Sequence, residues 1–225
     1  MAILTRASCA LAVLAALASC SLTDDGVEGI DTLRGISQQL RQGNERPEPL
    51  SQTVISQTVS QVESPLKFIE ITSRGGQAIV APIQSSGEYT TYGSSAGQNV
   101  VFRHGMPVQS RGFGGDLMSS DEDALLALLR ARQRGTADYV MRYLSGDNDT
   151  ITYVYTCNVL PQGATGYAAG AVRADATEVE VHCVSETGPD FVSEYTVDGT
   201  GEILAGRQWF GGLTDYLVFS TLRRD

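Results

Sequence analysis

Thr150-Ile-Thr-Tyr-Val-Tyr-Thr-Cys157 and Glu178-Val-Glu-Val-His-Cys-Val184 are two short runs whose residues alternate in character along the chain. In an extended strand alternate side chains share a face. Tyr153, Tyr155 and Cys157 then point one way, and Thr152, Val154 and Thr156 the other. On the second run Val179, Val181 and Cys183 share a face, opposite Glu178, Glu180 and His182. Each strand carries its cysteine on the more apolar or aromatic side, where a core lies and the two sulfurs can meet. A bridge there closes a loop of about 26 residues, which contributes roughly 3 kcal/mol through the unfolded chain. Two separate buried thiols are the alternative.

The same two-residue rhythm extends in both directions. Upstream, Leu66–Thr72, Ala78–Gln84, Glu88–Tyr92, Asn99–His104 and Pro107–Arg111 are short runs separated by glycine-containing turns. Tyr139–Leu144 precedes Thr150–Cys157 across the turn Ser145–Asp149, and Phe191–Val197, Ile203–Phe210 and Tyr216–Leu222 follow, with Asp198-Gly199 as a hairpin turn. Regular short strands with turn residues between them predict an antiparallel meander. One helix interrupts it. Ser119-Ser120-Asp121-Glu122-Asp123 supplies a cap and an acidic first turn, Ala124–Arg134 continues with Leu125, Leu126, Leu128 and Leu129, and Gly135 marks the stop. The expected architecture is mainly β, a single antiparallel domain over 66–225 with one prominent helix.

Ahead of that domain the chain has a different character. Met1–Arg6 carries one positive charge, Cys9–Ala18 is apolar, and Ser19-Cys20 leads into a polar run. This is the layout of a secretory signal peptide over 1–19, too short for a membrane-spanning helix of about 20 apolar residues. Leu17-Ala18-Ser19-Cys20 resembles a bacterial lipobox, in which the thiol of Cys20 takes a diacylglycerol, the peptide before it is removed and the new amino terminus is acylated. Two or three acyl chains such as palmitate suffice for stable anchoring. Ser21 resembles the residue after the lipid site in lipoproteins sorted to the outer membrane. Residues 20–65 then read as a lipidated tether with short helices, one loosely patterned over Ser21–Gly43 and one over Ser51–Glu63, with Gly43–Pro49 as a linker. In the compartment this implies, Cys157 and Cys183 can oxidise.

The formal charge of −10 over 225 residues argues against nucleic-acid binding. Only two histidines exist, His104 at a turn and His182 on a polar strand face, and neither C-x-x-C nor H-E-x-x-H spacing occurs, so neither a metal nor another cofactor is expected. No G-x-S-x-G elbow supports a serine nucleophile. Gly112–Gly115 precedes a helix but lacks the P-loop lysine, and a tight turn accounts for it. Asp116, Asp121, Asp147 and Asp149 could supply a glycosidase pair, although turns and a helix cap account for each. Trp209, Phe210 and Tyr216 could form an aromatic platform for a sugar; at strand spacing, burial is the commoner role. No catalytic residue emerges.

Three blocks carry a resemblance. Arg111–Asp121 (RGFGGDLMSSD), Arg142–Asn148 (RYLSGDN) and Arg207–Leu217 (RQWFGGLTDYL), in this order, resemble the YjbF family, the group 4 capsule lipoprotein GfcB family. The resemblance runs from about Leu66 to the C-terminus and is weakest at Ser51–Glu63. It implies a mainly β, outer-membrane lipoprotein facing the periplasm. It also implies a non-enzymatic role in exopolysaccharide or capsule secretion beside an outer-membrane β-barrel and other export proteins, and it carries no catalytic residue. A carbohydrate-binding module is the rival reading, and a glycan-modifying enzyme a more distant one.

Overall fold

In a computed structural model that describes residues 48–145, 147 and 149–224, the alternating runs become twelve antiparallel strands of one sheet. They are β1 (Leu66–Ile71), β2 (Gly76–Ser86), β3 (Tyr89–Gly93), β4 (Asn99–Arg103), β5 (Met106–Arg111), β6 (Leu117–Asp121), β7 (Gly135–Leu144), β8 (Thr150–Ala169), β9 (Val172–Val184), β10 (Phe191–Asp198), β11 (Ile203–Trp209) and β12 (Tyr216–Arg223). Each pairs with its neighbours in sequence, and β1 pairs with β12. The order is that of an up-and-down barrel, open only between β5 and β6.

Hydroxyls bridge that seam. The Ser110 side chain accepts from the amide of Leu117 (3.1 Å) and donates to Asp116 (3.1 Å), while the Ser120 hydroxyl is shared between the Val108 carbonyl (3.1 Å) and Glu122 Oε2 (2.7 Å). Asp116 in turn accepts from the amides of Gly112 and Phe113, both at 2.9 Å, and so holds the turn between the two strands.

Inward-facing residues fill the barrel. Tyr139 and Met141 on β7, Tyr155 and Cys157 on β8, Val179 and Val181 on β9 and Phe219 on β12 are all buried in one cluster. Gln208 is buried among them with its polar atoms satisfied. Its amide nitrogen donates to the Pro107 carbonyl (2.9 Å) and to Tyr139 Oη (3.3 Å), and its oxygen accepts from Tyr195 (3.0 Å). Three strands are thereby tied to a fourth across the interior.

Two helices accompany the barrel. Helix α1 (Gln52–Gln61) is N-capped by Ser51, whose hydroxyl accepts from the Val54 amide (3.3 Å). It lays Val59 against Ile79, Ala81 and Leu222 on the outer wall. Helix α2 (Asp123–Ala131) buries Leu125, Leu126 and Leu129, with Leu128 partly covered. It is shorter than the sequence predicts. Ser119–Asp121 belong to β6, paired with β7, and the cap is Glu122, whose side chain makes no capping bond because it reaches Arg103 (3.1 Å). The helix stops at Arg132 in a left-handed conformation, and Gly135 opens β7.

The largest departure is the β8–β9 hairpin, which runs well past the segments expected from alternation. Past Val159 β8 has no further pairing with β7, and beyond Ala176, the last β9 residue paired with β10, the hairpin leaves both neighbours and folds over the outside of β11 and β12. There the Tyr167 hydroxyl donates to the Thr221 carbonyl (2.7 Å), the Ala171 amide to the Leu222 carbonyl (2.8 Å), and Tyr167, Val172 and Ala176 pack on Leu204. This arm makes a second layer over one side of the barrel.

Candidate functional site

Cys20, the signal segment and the Ser21–Gly43 helix expectation lie outside the described residues. Cys157 and Cys183 stand directly opposite each other on β8 and β9 and are bonded, with S–S 2.02 Å and both side chains buried.

The aromatic candidates separate. Trp209 is 6% exposed and Phe210 fully buried. Trp209 stacks on Phe191, ring centroids 5.0 Å apart, and meets Tyr143, Tyr153 and Tyr155 edge-on or tilted. A sugar platform needs an open ring face, and these two rings offer none. Their role is to seal one end of the barrel. Tyr216 is partly exposed, with the Arg207 guanidinium over its ring at 3.2 Å.

At that sealed end the three sequence blocks converge. Gly211 lies so close to Tyr143 that a Cβ would stand 2.8 Å from the ring, and Gly115 so close to Leu213 that a Cβ would stand 2.6 Å from its side chain. Thr214 donates to the Gly115 carbonyl at 3.3 Å. The glycine at position 115 therefore serves close packing of two loops, as a turn reading of Gly112–Gly115 expects. Asp121 makes a two-pronged pair with Arg142 (2.9 and 2.6 Å), which holds its carboxyl below the usual range. Asp147 and Asp149 donate their amides to Ser145 in the β7–β8 turn.

The opposite end is polar. His104 Nε2 lies 2.8 Å from Glu88, and Arg103 pairs with Glu88, Glu122 and Asp123. His182 pairs with Glu180 on the outer wall. Asp198 is buried, which pushes its carboxyl up. The Thr200 hydroxyl, the amides of Glu202 and Thr200, and Arg224 outweigh that and hold it below its usual value.

Lys67, on the inner face of β1, is 4% exposed. Its ammonium donates to Thr221 (2.8 Å) and lies 4.9 Å from the centre of the Phe102 ring. Burial pushes this group down to about 8, partly countered by Glu202. Above that pH the folded chain gives up a proton that the unfolded chain keeps until its ordinary value of 10.5. Stability is therefore expected to rise as the pH climbs through this window. Urea melts between about pH 7 and 9.5 should show the rise in the wild type and not in Lys67→Met. Burial raises the hydroxyls of Tyr139 and Tyr195 above 10.0, so they act only beyond that interval. The same slope in both proteins would remove Lys67 as its source.

Between the arm and the outer wall of β9–β12 lies a groove of about 530 Å³. Gln162 lines it from the arm side, and Glu178, Glu180, Glu194, Thr196, Arg207 and Ser220 from the wall. The sequence marks Glu178 and Glu180 as a polar strand face and Arg207 as the start of the third block, but not the groove they share, because solvated outer positions on four strands carry no pattern until the arm covers them.

The profile of the family described as group 4 capsule polysaccharide lipoprotein (gfcB, YjbF) matches residues 38–222. The match takes in the Ser51–Glu63 segment, where the resemblance read from the sequence is weakest. Among solved structures the chain is similar to the crystal structure of the hypothetical lipoprotein YmcC from Escherichia coli K12. The TM-score is 0.68 at 13% identity, over 87% of this chain and 96% of that one. At that identity the likeness shows a shared fold. No curated protein matches the chain.

Proposed function

The chain belongs to the group 4 capsule polysaccharide lipoprotein (YjbF) family, and on that premise we propose that it is an accessory lipoprotein of exopolysaccharide or capsule export. In this reading Cys20 carries the acyl chains, Ser21 directs the protein to the outer membrane, and the barrel faces the periplasm. There it holds or organises export proteins, an outer-membrane β-barrel among them, without chemistry of its own. The observation that carries the reading is the family match over 38–222 downstream of Leu17-Ala18-Ser19-Cys20.

The anchor and the role are tested together. Deleting the gene is expected to lower surface polysaccharide severalfold, with restoration by the wild-type gene and not by Cys20→Ser. Unchanged polysaccharide output in the deletion strain overturns the role. Full restoration by Cys20→Ser, with no acyl groups found by mass spectrometry on the wild-type amino terminus, overturns the anchor.

A further inference from the structure

The groove beneath the β8–β9 arm is lined by polar groups that the fold leaves unused. Arg207 lies flat on Tyr216, its guanidinium carbon 3.2 Å from the ring centre. Among the described residues its guanidinium makes no hydrogen bond or ion pair, although Glu194 stands directly across from it on β10. Stacking fixes the guanidinium while its N–H donors stay free of any partner among the described residues. The carboxylates of Glu194 and Glu178 likewise have no hydrogen bond or ion pair among the described residues, whereas that of Glu180 is engaged by His182. Glu194 also stands directly across from Glu180 on β9. Like charges in that position are unfavourable and offset the favourable placement of Glu194 opposite Arg207.

We infer that this groove binds an uncharged saccharide segment, an inference that rests on the export role proposed above. The volume, about 530 Å³, falls within the ~300–1,000 Å³ of small-molecule sites. Free acceptors at Glu178 and Glu194 sit beside free donors at Arg207, and the Gln162 amide on the arm offers both. A sugar hydroxyl donates and accepts at once, so a run of hydroxyls satisfies both kinds of group. An acidic polymer meets three carboxylates against one guanidinium and is repelled. A cationic one is drawn by those carboxylates but leaves the Arg207 donors unmatched.

The test uses the full-length lipidated protein in detergent micelles and equilibrium dialysis against defined tetrasaccharides. Neutral tetrasaccharides of glucose, galactose and mannose form one arm and tetragalacturonate the other. At least one neutral member is expected to bind, and tetragalacturonate to bind at least tenfold more weakly. Glu194→Gln and Arg207→Ala should each weaken neutral binding about tenfold, and Arg207→Lys should not restore it, because an ammonium lacks the planar fork. Glu194 is exposed, so its variant keeps the test valid even where Arg207→Ala disturbs packing on Tyr216. The inference is overturned by absence of neutral binding, by binding unaffected in Glu194→Gln, or by preference for the uronate. Absence of binding together with reduced polysaccharide in the deletion strain removes the groove and leaves the export role. Binding with unchanged output does the reverse.

Discussion

Gly105→Ala is expected to destabilise the protein by about 4 kcal/mol, read as a lowered urea midpoint with an unchanged slope. Gly105 has φ +81°, and a Cβ there would stand 1.9 Å from the carbonyl oxygen of Ile203 and 2.7 Å from its carbon. Both are backbone atoms, so no side chain can turn aside. The β4–β5 turn reaches across the end of the barrel to β11, a strand that is not its neighbour in the sheet, where the Ile203 amide donates to the His104 carbonyl at 3.1 Å. The added methyl forces that contact apart. Gly87→Ala provides the comparison: its φ is +59°, but nothing lies within 4 Å of the new Cβ. That variant bears only the left-handed strain, about 1 kcal/mol. Equal losses in the two variants would show that the cross-barrel contact contributes nothing.

Removing the Cys157–Cys183 bridge is the second large effect. The double variant Cys157→Ala with Cys183→Ala should lose about 3 kcal/mol against the oxidised wild type, the figure expected for a closed loop of 26 residues. Both cysteines are buried on the inner wall, and the bond joins residues already in register. Stabilisation therefore comes mainly from the unfolded chain, and reductant should bring the unfolded wild type to the variant's level. The measurement is a pair of melts for each protein, with and without reductant. A variant that stays equally far below the reduced wild type would place the loss in the small packing change instead.

The alternation of β7, the first part of β8, the second part of β9, and β10 and β12 was legible because each has one wall in the core and one in solvent. The cysteine partnership followed from the same parity. What escaped did so for identifiable reasons. In β6 the run Ser119-Ser120-Asp121 carries residues that cap helices. Here its pairing with β7 and the bond from Arg142 to Asp121 override that local preference. The arm between Gly163 and Thr177 has no alternation because neither of its faces enters the barrel, and only a few residues such as Tyr167 and Val172 touch the outer wall. Trp209 and Phe210 were ambiguous in sequence, since an aromatic pair at a strand end suits a sealed core or an open platform, and burial decides between them. The groove was illegible because its residues come from four strands and a fold-back that no single segment encodes.

The β1–β12 pairing has a kinetic consequence. Lys67 and Thr221 are 154 positions apart along the chain, yet they are partners in the ladder. The first strand to emerge gains its second neighbour only when the last one arrives, so ring closure carries a large loop entropy and waits for the whole polypeptide. Until then β1 is a bare edge open to strangers, and early helix docking is the local means of shielding the apolar surface beside it.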